Sequence, residues 1–178
     1  LRVALFRRVT YSVDVSIPEG RKLMGGTIEA RVAGKYLAGG NVARGKWGWF
    51  WTRRETWYQP PGEALAGYSF GDVQKGWAED LGSDSGALGG DGTVVAAQKL
   101  ADGEKGRVYF YELVATIEDI DRQAISRSAG GLVFSSECLL GARLTAGPRS
   151  DDSLYFVKKG TPFTLRIVSV DPDGTHLA

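Results

Sequence analysis

The sequence predicts an all-β protein, an antiparallel β-sandwich followed by the first strands of a further, similar unit. Three observations carry that prediction. The stretch from Arg107 to Ser135 alternates at period two, with Tyr109, Tyr111, Leu113, Ala115 and Ile117 on one face. Its other face, Val108, Phe110, Glu112, Val114, Thr116 and Glu118, turns polar towards the end. Second, the chain holds 25 glycines, many in doublets that punctuate short apolar runs, as strand-to-strand turns require. Third, 43% of residues are hydrophobic, enough to fill a core in a chain of 178 residues.

Taken in order, Tyr11, Val13, Val15 and Ile17 alternate with Ser12, Asp14 and Ser16, which reads as a strand. Pro18 ends it, because proline has no N–H to give to a ladder. Arg21 to Gly26 reads as a turn. Ile28, Ala30, Val32, Gly34 and Tyr36 form the next alternating strand, closed by Gly39-Gly40-Asn41. Lys46 to Tyr58 reads as a third strand, with Trp47, Trp49 and Trp51 on one side. Residues 59–90 have no period and begin with Pro60-Pro61-Gly62, so a long loop is expected there, with one helical turn near Gln74 to Asp80. Thr93 to Leu100 is a short strand. In the hairpin that follows, Asp119-Ile120-Asp121-Arg122 supplies the turn, since Asp bonds nearby backbone amides. After Phe134 the texture changes. Leu139 to Thr145, Leu154 to Val157 and Phe163 to Val170 read as three strands, too few for a sandwich of their own. Their apolar residues, Phe163, Leu165 and Ile167 among them, therefore need cover from the first unit or from a second copy.

Lys and Arg number 22 against 21 Asp and Glu, so nothing argues for a nucleic-acid or membrane-surface partner. No apolar run approaches the roughly 18 residues of a spanning helix, and no signal peptide is visible. Cys138, the single cysteine, has no internal disulfide partner. Leu1 already lies in an apolar run and no element closes the chain after its last turn, so the sequence reads as a piece of a longer protein.

No constellation of catalytic, cofactor or metal-binding residues stands out, and none is assigned. The segment from Lys46 to Tyr58 could stack sugars or bases on its Trp residues beside Arg53 and Arg54. Strand alternation alone explains the Trp spacing, so Trp47, Trp49 and Trp51 are expected in the core. Asp171-Pro172-Asp173-Gly174 opens like a calcium loop but lacks the later ligands, and reads as a hairpin turn. Glu118, Asp119 and Asp121 read as a solvated turn for the same reason. The run from Gly86 to Gly92 lacks the Lys and Ser/Thr of a phosphate loop and reads as a turn. His176 is the only histidine, with no nucleophile beside it in sequence, and Cys138 has no neighbouring base.

Several of these stretches, in this order, resemble a macroglobulin domain of the bacterial α2-macroglobulin family. Leu5-Phe6-Arg7-Arg8 followed by Tyr11 to Val15 is similar to the entry strand "EFRRPEYEV", with Val9 and Thr10 in place of Pro-Glu. Gly26 to Ala30 with Lys35 to Ala43 resembles "sxxYxFGxPVxxA", Ala38 and Asn41 departing from Phe and Pro. Tyr58 to Gly62 and Tyr68 to Gly71 are similar to the loop after it. Ala115 to Gln123 resembles the hairpin turn "VTDxxRQ". The resemblance implies a fibronectin III or immunoglobulin-like sandwich of about seven strands over 1–135 and the start of a second macroglobulin domain over 136–178. It implies a structural, non-enzymatic module of a protease trap. In bacteria such proteins are typically periplasmic, often lipid-anchored and associated with a penicillin-binding protein. The implied partners are neighbouring macroglobulin domains and, through the whole protein, target proteases. Cys138 is followed by Leu139-Leu140-Gly141 rather than the Gly-Glu-Gln of the family's thioester, so no reactive residue carries over. A carbohydrate-binding or accessory sandwich of a secreted enzyme is the alternative.

Overall fold

The computed structural model describes residues 9–71, 77–101, 103–146 and 156–177. Among them there is no α-helix, only one 3-10 turn at Glu63–Leu65. The strands are β1 (Tyr11–Ser16), β2 (Lys22–Leu23), β3 (Thr27–Tyr36), β4 (Lys46–Glu55), β5 (Ser69–Phe70), β6 (Glu79–Ala87), β7 (Thr93–Lys99), β8 (Val108–Glu118), β9 (Ala124–Phe134), β10 (Leu139–Thr145) and β11 (Thr164–Val170).

Two sheets make the sandwich, one ordered β1-β3-β7 and the other β2-β9-β8-β4-β6. The predicted hairpin lies at the centre of the larger sheet, β8 pairing with β9 from Val108 opposite Phe134 to Glu118 opposite Ala124. Period two then decides which side chains face the smaller sheet. Tyr111, Leu113, Ala115 and Ile117 are buried there, against Tyr11, Val13, Ile28, Ala30 and Val32 of the opposing sheet. Each large aliphatic side chain so buried stabilises the fold by about 1.5–3 kcal/mol. Packing is close at Gly34, where a Cβ would lie 3.0 Å from Ile117 Cδ1 and 3.1 Å from Val42. The Tyr11 hydroxyl ties the two sheets together, lying 2.7 Å from the Ile117 carbonyl and 2.6 Å from that of Gln123. Burial first, and the nearby Asp119 carboxylate second, push its phenol up to about 12.

Residues 59–90 are not one loop. From Glu79 the chain forms β6, the edge strand of the larger sheet, antiparallel to β4. Glycines and acids hide this strand from a reading by periodicity, since nearly every residue of it is exposed and only Leu81 packs inward. Of the helical turn expected near Gln74 to Asp80, residues 74–76 lie outside the described residues, and Glu79 and Asp80 are strand. β5, earlier in the same excursion, leaves the sandwich altogether.

β5 joins β10 and β11 in a third sheet, ordered β11-β10-β5. β10 and β11 occur as the sequence predicts, antiparallel from Leu139 opposite Val170 to Thr145 opposite Thr164. Of the strand expected at Leu154 to Val157, Leu154 and Tyr155 lie outside the described residues, and Phe156 and Val157 are not in a strand. A second apolar cluster sits between this sheet and the end of the sandwich. It gathers Leu65, Phe70, Val108, Phe134, Leu139 and Val170, drawn from both sides of residue 135.

Candidate functional site

The junction between sandwich and tail sheet combines an apolar cluster with a rim of polar contacts. Its apolar centre comes from the excursion after β4. Leu65 and Phe70 are buried there, and the Phe70 ring lies so close over β10 that a Cβ at Gly141 would stand 2.5 Å from it. The Tyr58 ring meets Phe134 edge-on at 5.0 Å, and its hydroxyl donates to the Pro172 carbonyl at 2.6 Å. Gly174, with φ +85°, lies against the Pro61 carbonyl, where no side chain would fit. Around this centre runs a polar rim. The Arg21 guanidinium, in the loop before β2, pairs with Asp171 at 3.4 Å and also with Asp173. The carboxylate of Asp171 accepts the amides of Asp173 and Thr175 at 3.0 and 2.8 Å. The Thr175 amide above all, then Arg21, holds the Asp171 carboxyl below the usual range. An open cavity of about 630 Å³ adjoins the junction, lined by Lys105, Arg107, Ser135, Ser136 and Cys138 among others. Arg107 there pairs with Glu55 and with Glu104.

The tail sheet packs on the sandwich with the face opposite to Leu165 and Ile167, so of the two covers expected for the outer residues the sandwich does not supply one. Leu139, Gly141, Val168 and Val170 point into the second cluster. Phe163, Leu165 and Ile167 are 51%, 51% and 64% exposed, and Leu140 on the same face is 64% exposed. This outer face carries no charged residue among the paired positions of β10 and β11.

The other candidates resolve into architecture. Trp51 is fully buried. Trp47 and Trp49 are half-buried against the same core, their rings stacked 6.5 Å apart and 5° from parallel. Trp47 also covers Gly86 of β6. Arg53 pairs with Glu79 at 2.7 Å and lies 5.4 Å over the Tyr109 ring, while Arg54 lies 5.0 Å over Phe110. These contacts hold the sheet together.

Asp119 is buried, and its Oδ1 accepts the amides of Asp121 and Gln123 at 2.9 and 3.0 Å. Glu118 turns instead towards Lys46, 3.8 Å away. Gly86 belongs to β6, and the run after Ala87 is a turn in which Asp91 accepts from Thr93. Among the described residues no three His, Cys, Asp or Glu side chains are grouped to hold a metal ion. Cys138 Sγ lies 3.2 Å from Ser169 Oγ. His176 is exposed and bridges Val170 through its backbone. What sequence reading missed is the role of Tyr58, Leu65 and Phe70. Aromatic and aliphatic residues in an aperiodic, Pro-rich stretch were the available signal.

A β-sandwich with a three-stranded sheet docked on one end places the chain in a class of all-β folds. Comparison with solved structures narrows the class to one fold. The chain is similar to trypsin-activated alpha-2-macroglobulin from Escherichia coli, with a TM-score of 0.70 and 16% identity over 95% of this chain and 12% of that one. The E. coli protein activated by porcine elastase gives 0.71 and 16%, covering 95% of this chain and 15% of the other. Salmonella alpha-2-macroglobulin reacted with methylamine gives 0.67 and 15%, over 97% and 12%. The chain therefore has the fold of a region of the bacterial alpha-2-macroglobulins and spans a small fraction of their length. No family model and no curated protein matches the sequence. No helix among the described residues is long and apolar enough to cross a membrane.

Proposed function

We propose that this chain is a structural, non-enzymatic part of a bacterial α2-macroglobulin-like endopeptidase inhibitor of the cell envelope. In this reading residues 1–135 form one macroglobulin domain and 136–178 open the next. The carrying observation is that the likeness to E. coli alpha-2-macroglobulin extends over 95% of the chain, sandwich and tail sheet together. The junction supports the same reading, because it is built as a domain interface is, with an apolar centre and a polar rim. The partners are then neighbouring domains of the same polypeptide and, through the whole molecule, the proteases it captures. A periplasmic or extracellular location, a lipid anchor and contact with a penicillin-binding protein belong to this proposal as properties of the family.

The test sets the isolated chain beside the longer polypeptide that would contain it. The chain alone should neither hydrolyse peptides nor inhibit trypsin or elastase. The longer polypeptide should block attack by those proteases on a protein substrate. Stoichiometric inhibition by the isolated chain, or none by the longer one, would remove the trap assignment.

A further inference from the structure

After β11 the chain does not leave the tail sheet. Asp171 to Thr175 make a tight turn, with Gly174 N donating to Asp171 O at 3.0 Å and Asp171 N to Thr175 O at 2.9 Å. The backbone then runs back along the outer edge of β11. His176 bridges Val170, and Leu177 N donates to Ser169 O at 2.9 Å. Asp171 with Thr175 and Ser169 with Leu177 are two successive hydrogen-bonded pairs of one antiparallel ladder. The ladder fixes which way each β11 residue points. Ser169 turns its amide and carbonyl outward, so Ile167 and Leu165, two and four residues before it, do the same. Arg166, Val168 and Val170 turn theirs towards β10, consistent with the pairing of those strands. Among the described residues β11 is an end strand, and nothing pairs with it beyond Ser169.

We propose that the outer edge of β11 is a strand-acceptor site, and that its occupant is the stretch of the same polypeptide that continues the Asp171–Thr175 hairpin past Leu177. The inference deepens the reading of the tail as the opening of a second domain, and rests on it. The register is already set. The second residue after Leu177 stands opposite Ile167, and the fourth opposite Leu165. Opposed residues in a ladder share a face, so Leu177 itself lies on the outer, uncharged face beside Ile167 and Leu140. The second and fourth residues after it should be apolar as well. The one charge in β11, Arg166, points inward, so the outer face that carries Leu165 and Ile167 has no charge to oppose pairing. A bound strand is what makes such an edge stable.

The test is amide hydrogen exchange on the 178-residue chain and on a version extended by its next dozen natural residues. In the shorter chain the amides of Ile167 and Leu165 should exchange fast, while those of Arg166 and Val168 stay protected. In the longer chain Ile167 and Leu165 should slow by about tenfold or more. Unchanged rates at Ile167 and Leu165 would overturn the acceptor site while leaving the tail sheet intact. Protection of the two amides in the shorter chain that grows with concentration would also overturn it, giving the edge to a second copy. Fast exchange at Arg166 and Val168 in both chains would remove the second-domain reading itself.

Discussion

The two ends of the chain's sheets treat exposure in opposite ways. β6 closes the edge of the sandwich with Glu79, Asp80 and Asp84 exposed. A register shift opposite Trp51 and Thr52, with Gly82 at φ +118°, bends that edge away from a flat template. β11 has the reverse arrangement. Its exposed positions are Leu165 and Ile167, and its inward face carries Thr164 and Arg166 beside Val168 and Val170. Charge and a bulge mark a finished edge, whereas an uncharged apolar one marks an interface. The described sandwich therefore ends in a protected edge, and the tail sheet is covered on one face, at its junction with the sandwich.

That contrast predicts a gradient of mutational effects. In the sandwich, Leu113→Ala removes a fully buried side chain and should cost about 2–5 kcal/mol in denaturant unfolding. A loss no larger than that of a surface substitution would mean the core lies elsewhere. At the junction, Gly174→Ala places a Cβ against Pro61 at a left-handed φ. It should weaken tail docking by about 1–3 kcal/mol, read as faster exchange at Val168 with β8 amides unchanged. Tyr58→Phe deletes the hydroxyl that holds Pro172 and should cost about 0.5–1.5 kcal/mol in the same measurement.

On the outer face, Ile167→Ser should change the stability of the chain by less than about 0.5 kcal/mol, because that side chain is mostly exposed. The Asp171 latch should show in a pH titration of Val168 exchange. Its folded carboxyl titrates below the ordinary value, so the latch is full above that value and lost as pH falls through the lowered one. Tail opening that is flat with acid, or that rises on the alkaline side instead, would mean Asp171 is not part of the contact.

The sandwich was largely legible because its strands are half-buried and alternate. Ile28, Ala30 and Val32, or Leu113, Ala115 and Ile117, announce their face at period two. β6 was not legible, since an exposed edge strand of Gly, Ser and Asp has no apolar face to display. The junction was only half visible. Leu65 and Phe70 lie in a stretch with no period, and their burial depends on Gly141 and Val170, far along the chain. The tail strands are legible, but of the two covers expected for Phe163, Leu165 and Ile167 the sandwich is not the one, since they lie on the face turned away from it. Alternation tells two faces apart, and in an open sheet it does not tell which one the neighbour takes. The charged and Trp-rich motifs that looked most like chemistry serve turns and core packing.

Phe70 sitting over Gly141 joins the excursion, the sandwich end and the tail sheet in one contact. Proton NMR of the 178-residue chain reads it without perturbing the molecule. The ring should shift the Gly141 α-protons upfield from their random-coil position, with cross-relaxation from the Phe70 ring to Gly141 and to the Val168 methyls. Gly141 α-protons at random-coil positions with no cross-peak to Phe70 would mean the tail does not dock on the sandwich.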